Sequence, residues 1–237
     1  LKFKNVDITA ALGTGSVAVR DIQLNNNTIS EITGGEVKST SGKISVNATN
    51  NSNVDITTTR VDVSGLTFSG GGSIYNNTSE TIAQIGSSSD EITTVINAAS
   101  GVDVVSTSTN KSVIDATNVV VTGGGIVAVD LSENKDNNNT SAQIIGKTDI
   151  DTAGKLTIHS KANTDLSSTK ATVSVSGANM VSVSKNEVNA SAISKAIIKD
   201  VEGTIAANGI DIVTDYDTMS AFSKANVTAV KLGDIYS

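Results

Sequence analysis

The side chains that could carry out acid–base or metal chemistry are few and scattered in this sequence. His159 is the single histidine, and it follows the strand-like run Leu156-Thr157-Ile158 at a position of outward parity. A histidine that works as a base or a metal ligand needs partner groups at fixed geometry. No partner set is recognisable, and cysteine is absent. We therefore interpret His159 as a surface residue, and we predict no catalytic, cofactor-binding or metal-binding residues.

The densest acidic cluster consists of Asp211, Asp215 and Asp217. Calcium takes oxygen ligands from such groups. However, the Gly-Gly-x-Gly-x-Asp calcium repeat is missing, and Asp211 alternates with Ile210 and Ile212 as on a solvated strand face. The pattern favours an exposed acidic face over a calcium site.

Asn-x-Ser/Thr elements recur at Asn26-Asn27-Thr28, Asn76-Asn77-Thr78, Asn138-Asn139-Thr140 and Asn189-Ala190-Ser191. Such elements can be glycosylation acceptors in a secreted protein. Asparagine also favours turns, because it tolerates a positive φ. Their recurrence at one place in a repeat predicts turns rather than acceptor sites.

Other candidates for ligand binding lack the residues they would need. Tyr75, Tyr216 and Tyr236 are too scattered to form a platform for stacking sugars, and no Gly-Lys-Ser/Thr follows the glycine runs, so these are not phosphate loops. A carbohydrate-cleaving cleft needs clustered acids and a basic residue. The two arginines, Arg20 and Arg60, lie at unrelated positions of the repeat.

Composition excludes several partners. The net charge is −7 and there is no lysine-rich run, so we expect neither nucleic-acid binding nor binding to anionic membranes. No apolar stretch approaches the length of a transmembrane helix. Proline is absent, which fits strands that pair on both sides. The absence of cysteine excludes a disulfide framework and is compatible with secretion.

The chain contains an internal repeat of about 55 residues. The motif Val-x-Val-x-Gly occurs at 61–65, 119–123 and 173–177, with a degenerate copy at 230–233, so the glycines are 58, 54 and 56 residues apart. A second glycine marker lies upstream of each motif, at Gly42, Gly101, Gly154 and Gly209. The apolar parity after Gly101 and Gly209 is shifted by one residue, so we expect these two glycines to be offset by one. Residues 1–237 are thus predicted to be a single solenoid fragment of a longer array, with partial repeats at both ends.

Apolar residues alternate within each repeat, which predicts strands with one buried face. Stacked coils can bury faces that one coil cannot cover alone, whereas an antiparallel sandwich or barrel requires no such repeat. We expect an all-β solenoid with two or three coils per repeat, about ten coils in all, and an axis of about 50 Å at about 4.8 Å per coil. Val173 and Val175 should point inward and Ser174 and Ser176 outward. The segment 170–197 could instead form a projecting β-hairpin.

The Val-Ser-Val-Ser-Gly strands, the Asn-x-Thr elements and the absence of Pro and Cys resemble the filamentous-haemagglutinin-like exoproteins of two-partner secretion. Residues 173–200 are most similar to the repeats of large fusobacterial leukotoxins and their adhesin relatives. The resemblance implies a right-handed parallel β-helix, an outer-membrane translocation partner and a location outside the bacterial outer membrane. It also implies a role in adhesion to host or bacterial cells, or in leukocyte toxicity.

We therefore expect a non-enzymatic, rigid β-helical stalk of a secreted adhesin or leukotoxin. The alternative is a carbohydrate-active β-helix enzyme related in architecture to polysaccharide lyases or hydrolases. A third possibility, a domain that acts on host membranes, needs an exposed apolar hairpin, and the sequence gives no evident sign of one.

Overall fold

The computed structural model describes residues 1–89 and 91–231, and every regular element in this part of the chain is a β-strand. All strand pairings are parallel, and strands join three sheets in rotation along the chain. This arrangement is a parallel β-solenoid, as predicted. It follows from the alternating pattern, because each strand can bury one face only against other coils and another sheet.

The strands of sheet A are β1 (Lys2–Ala11), β4 (Ile44–Ser64), β7 (Gly101–Thr122), β10 (Lys155–Ser176), β13 (Ile210–Asp215) and β14 (Met219–Lys231). The strands of sheet B are β2 (Thr14–Ile32), β5 (Thr67–Ile85), β8 (Ile126–Ile145) and β11 (Met180–Lys199). The short strands of sheet C are β3 (Gly35–Ser39), β6 (Thr94–Ala98), β9 (Thr148–Thr152) and β12 (Ile205–Ala206). Each sheet stacks its strands in chain order, except that β13 and β14 both pair with β10.

One sequence repeat forms one coil, so the prediction of two or three coils per repeat was wrong. Ile44 pairs with Val102, Val102 with Leu156, and Leu156 with Ile210. Each pairing therefore spans one full repeat. The prediction failed because strands in globular proteins are usually 3–10 residues long, whereas β4 has 21 residues and β7 has 22.

The long strands make the molecule a flat blade rather than a rod along the solenoid axis. A strand of 21 residues spans about 70 Å at about 3.3 Å per residue. Five stacked layers of sheet A extend only about 19 Å along the axis at about 4.8 Å per layer. The predicted ten coils and 50 Å axis are therefore wrong, since the length of the blade runs across the axis.

The glycine markers recur at matching places in successive coils. Gly101 pairs with Lys155 rather than with Gly154, which confirms the predicted offset of one residue. Gly65, Gly123 and Gly177 all follow the last residue of a sheet A strand, and those last residues are paired with one another. The degenerate fourth copy ends at Gly233, which lies outside the described residues.

The interior of the blade alternates between apolar and polar zones along its length. Where the three sheets meet, a large aliphatic cluster includes Ile85, Ile96 and Val104. A second cluster surrounds the buried Tyr75, and a third contains Val120 and Ile126 near the turn from sheet A to sheet B. Polar side chains fill the space between these clusters, so the core has no single apolar stripe.

The first polar zone consists of hydrogen-bonded ladders between coils. Asn50 Nδ2 donates to Ser108 Oγ at 3.2 Å and to Asn110 Oδ1 at 3.3 Å. Ser79 Oγ donates to Asn138 Oδ1 at 3.1 Å. Asp136 lies among these groups and accepts from the Asn77 amide at 2.6 Å. Buried polar groups are tolerated here because neighbouring coils supply their partners.

The Asn-x-Ser/Thr elements are not turns, contrary to the prediction. All four lie inside strands of sheet B. Asn77 and Asn138 point inward and are buried, so their amides belong to the interior ladders. The acceptor Asn138 is therefore inaccessible to glycosylation in the folded chain.

The segment 170–197 does not project as a hairpin. Its first part belongs to β10 and its second part to β11, which pair with β7 and β8 in different sheets. The polar alternation of this segment reflects the polar interior of the blade, not a two-stranded projection.

Candidate functional site

The acidic cluster that was considered for calcium forms ion pairs with the adjacent coil. Lys155 Nζ lies 3.0 Å from Asp211, His159 Nε2 lies 2.8 Å from Asp215, and Lys161 pairs with Asp217. Asp211 and Asp215 lie on the outer face of sheet A, since β10 and β13 are in register, and Asp217 follows shortly after the end of β13. His159 is thus a partly exposed surface residue with a carboxylate partner. The described residues contain no group of three or more His, Cys, Asp or Glu side chains that could hold a metal ion.

The tyrosines do not form a common surface. Tyr75 is 1% exposed in an apolar cluster, and burial raises the pKa of Tyr75 to about 12. The Tyr216 hydroxyl accepts a hydrogen bond from the Ser194 N–H at 2.9 Å. Tyr236 lies outside the described residues.

The most unusual region is the end of the blade where sheet A turns into sheet B. We call it the tip and define it as residues 58–72, 116–131 and 170–183. The inward positions of β10 here are Lys170, Thr172, Ser174 and Ser176, all buried. Val173 and Val175 face outward, so the predicted orientation of these strands was wrong.

The outer surface of the tip is apolar on both sheets. On sheet A, stacked outward positions carry the valine pairs Val61 and Val63, Val119 and Val121, and Val173 and Val175. On sheet B, Phe68, Val127 and Val181 are aligned in adjacent strands. Phe68 is 49% exposed and Val181 is 54% exposed. Contiguous exposed apolar patches are typical of contact surfaces in proteins.

The inside of the tip carries all of its charged residues: Arg60, Asp62, Asp130 and Lys170. Arg60 Nε lies 2.9 Å from Asp62 Oδ2, and Ser69 also donates to this carboxylate. Two cations and two anions balance formally. Buried charges are costly unless they are paired and hydrogen-bonded. Arg60 and Asp62 pair within β4 of sheet A, and Asp130 of sheet B accepts hydrogen bonds from sheet A.

Asp130 connects the two sheets. It comes from β8 in sheet B, and its Oδ2 accepts from Asn118 Nδ2 at 2.7 Å and from Thr172 Oγ1 at 3.0 Å in sheet A. Opposite these groups, Gly71 leaves room for the carboxylate. A Cβ on Gly71 would lie 2.9 Å from Asp130 Oδ1 and 3.7 Å from Arg60 Nη1.

A cavity of about 30 Å³ lies among these side chains. Arg20, Arg60, Asn118, Asp130 and Lys170 contribute to its wall. Both arginines therefore line the same cavity, although they lie at unrelated positions of the sequence repeat. They come together because sheets A and B face each other. A cavity of this size holds a water-sized molecule but not a sugar ring, so it offers no cleft for a polysaccharide.

Burial changes the proton affinity of two interior groups. It lowers the pKa of Lys170 to about 8, although the negative charge of Asp130 acts in the opposite direction. It also raises the pKa of Asp136 above its usual value, and hydrogen bonds from Asn77, Thr164 and Asn110 act against this rise. Lys170 is therefore more easily deprotonated than an ordinary lysine.

The reversed polarity of the tip has a signal in the sequence. The inner face of β4 and β10 holds Val46, Leu156 and Ile158 elsewhere in the blade, and Arg60, Asp62 and Lys170 continue the same parity. The valines of the tip stand at the opposite parity. Following the parity of Leu156 and Ile158 along β10 places Lys170 on the inner face, because successive side chains of a strand alternate between its two faces. The described residues include no helix that could cross a membrane. No family model, curated protein or solved structure matches the chain.

Proposed function

We propose that the chain is a structural and interaction segment of a large secreted bacterial surface adhesin or leukotoxin. The stacked coils act as a stiff, non-enzymatic support, and the outer surface of the tip contacts the target. In this proposal the segment leaves the cell through an outer-membrane translocation partner and is displayed outside the outer membrane.

The observation that carries the proposal is the apolar outer surface of the tip. Its outward side chains are uncharged on both sheets, while the charged side chains of the tip point inward. Phe68, Val127 and Val181 remain about half exposed to water in the folded chain. Such a surface is favourable when it is covered by a partner, since about 25 cal/mol is gained for each Å² of apolar surface removed from water. The long strands hold this surface at one end of the blade.

Binding to target cells tests the proposal. A fluorescently labelled chain should bind leukocytes or bacterial cells, and Val181→Lys should weaken this binding because it places a charge on the tip. Ser191→Lys is the matched control, since Ser191 is an exposed outward residue of the same strand about ten residues from the tip. Binding that is equally strong for both variants would contradict a role of the tip.

The same surface favours a second candidate, contact with a host membrane. The sequence gave no sign of an exposed apolar hairpin, yet the turn from sheet A to sheet B presents apolar side chains on both sides, including Leu66 and Phe68. Co-sedimentation with neutral phosphatidylcholine vesicles separates this candidate from a protein receptor. Binding to vesicles that Val181→Lys abolishes would favour the membrane, and binding to cells without binding to vesicles would favour a receptor.

A further inference from the structure

Lys170, Asn118 and Asp130 line one cavity at the tip. Their side chains carry an amine, an amide and a carboxylate. Lys170 and Asn118 point inward from β10 and β7, which are adjacent parallel strands. Asn118 pairs with Thr172, and Lys170 pairs with Ala116. The two side chains are thus diagonal neighbours on one face of the sheet, at a Cα separation of about 7–8 Å that a lysine side chain can span.

Each group is in a state that suits reaction with the others. Lys170 is 4% exposed, and the negative charge of Asp130 acts on its amine. Burial lowers the pKa of Lys170 to about 8, and desolvation of this kind activates a lysine as a nucleophile. Asn118 is 5% exposed, and its Oδ1 is buried without a hydrogen-bond partner. Asp130 Oδ2 lies 2.7 Å from the amide nitrogen that would leave.

We propose that the folded tip forms an isopeptide bond between Lys170 Nζ and Asn118 Cγ, with Asp130 as the proton carrier. The neutral Lys170 amine attacks Asn118 Cγ, and a C–N bond forms between Nζ and Cγ. Asp130 takes a proton from the attacking nitrogen and passes it to Asn118 Nδ2. The bond between Cγ and Nδ2 then breaks, and one ammonia leaves. No oxidant or reductant takes part.

The surroundings of the amide support this reaction. Thr172 donates to the same Asp130 oxygen at 3.0 Å and fixes the carboxylate between the two sheets. Arg60 is paired with Asn118 in the sheet register and supplies positive charge to the same cavity. This charge stabilises the negative charge that develops on the Asn118 amide oxygen during the attack. The cavity of about 30 Å³ is large enough for a molecule of the size of water or ammonia.

The bond would link two adjacent coils whose neighbouring strands β7 and β10 are otherwise held by hydrogen bonds, packing and the ion pair between Lys111 and Asp165. Repeat proteins can lose coils one after another, because each coil contacts only its neighbours. A covalent link between β7 and β10 prevents the two strands from separating at the tip, where charged and polar side chains fill part of the interior.

Intact mass spectrometry tests the proposal. The purified chain is first incubated at a pH of about 8 until its mass no longer changes. We expect a mass lower than that of the sequence by one ammonia, and a peptide that joins Lys170 to Asn118 after digestion. A folded chain with the full sequence mass would overturn the proposal. Loss of ammonia that maps to Asn208-Gly209, where a succinimide can form, would overturn it as well.

Variants separate the roles of the three groups. Lys170→Arg keeps the positive charge but should retain the full mass, and Asn118→Ala and Asp130→Ala should do the same. Lys155→Arg is the matched control, because this lysine lies on the outer face of the same strand and pairs with Asp211; it should still lose one ammonia. If Lys170→Arg failed to fold, the wild-type mass and the linked peptide would still decide the question. Loss of ammonia by folded Lys170→Arg would overturn the proposal.

Discussion

The orientation of β10 at the tip can be tested with two neighbouring substitutions. Ser174 is 0% exposed and pairs with Val120, which packs in an apolar cluster with Ile126 and Ala128. Val175 faces outward beside Val121. We expect Ser174→Asp to destabilise the protein strongly and Val175→Asp to be tolerated, which is the reverse of what the alternating valines predict.

The magnitude follows from the burial of the new carboxyl group. Full burial raises the pKa of a carboxyl group by about 3 to 5. Each pKa unit corresponds to about 1.36 kcal/mol of free energy. At pH 7 Ser174→Asp should therefore cost at least about 4 kcal/mol of unfolding free energy. Val175→Asp keeps its carboxylate in water and should cost about 1 kcal/mol, mainly because Asp is a poor strand residue.

Urea denaturation followed by circular dichroism measures both effects from the midpoint at an unchanged slope. Ser174→Ala serves as the control. The Ser174 hydroxyl is buried without a hydrogen-bond partner, so its removal should be neutral or stabilising. If Val175→Asp were the more damaging of the two aspartates, the valines would face inward and the polar interior of the tip would be refuted.

Three further outcomes follow from the same structure. Gly71→Ala should cost about 1–3 kcal/mol through overpacking, because its Cβ would lie 2.9 Å from Asp130 Oδ1, whereas Gly123→Ala should change little, since no atom lies within 4 Å of its Cβ; equal urea midpoints would contradict this. Burial raises the pKa of Asp136, so its stabilising contribution is present below the ordinary pKa of 3.8 and is lost as the pH rises through the raised value. Asp136→Asn should therefore become more favourable relative to wild type as the pH rises from about 4 to 7, and a pH-independent difference in urea midpoint would refute the reasoning. Small-angle scattering should give a maximum dimension close to the strand length of about 70 Å, and a much shorter one would exclude the blade.

The sequence was sufficient to predict the fold class. Alternation of apolar and polar residues specifies strands, and the recurring glycines before and after each long strand specify the repeat. The offset at Gly101 was also predictable, because a one-residue slip would turn every side chain to the other face. The surface position of His159 could be predicted for the same reason, since it has outward parity beside the buried Leu156 and Ile158.

The number of coils and the orientation of the tip were decided by tertiary structure. Alternation shows that a strand has two different faces, but it does not show where one strand ends in space or which face meets another sheet. Near Leu156 the aliphatic residues face inward because sheets B and C cover them. Near Val175 they face outward, because sheet B places Asp130 opposite Asn118 and Thr172 and thereby makes the interior polar. Only the pairing of sheet A with sheet B brings Lys170, Asn118 and Asp130 together, since these residues belong to three strands and two sheets.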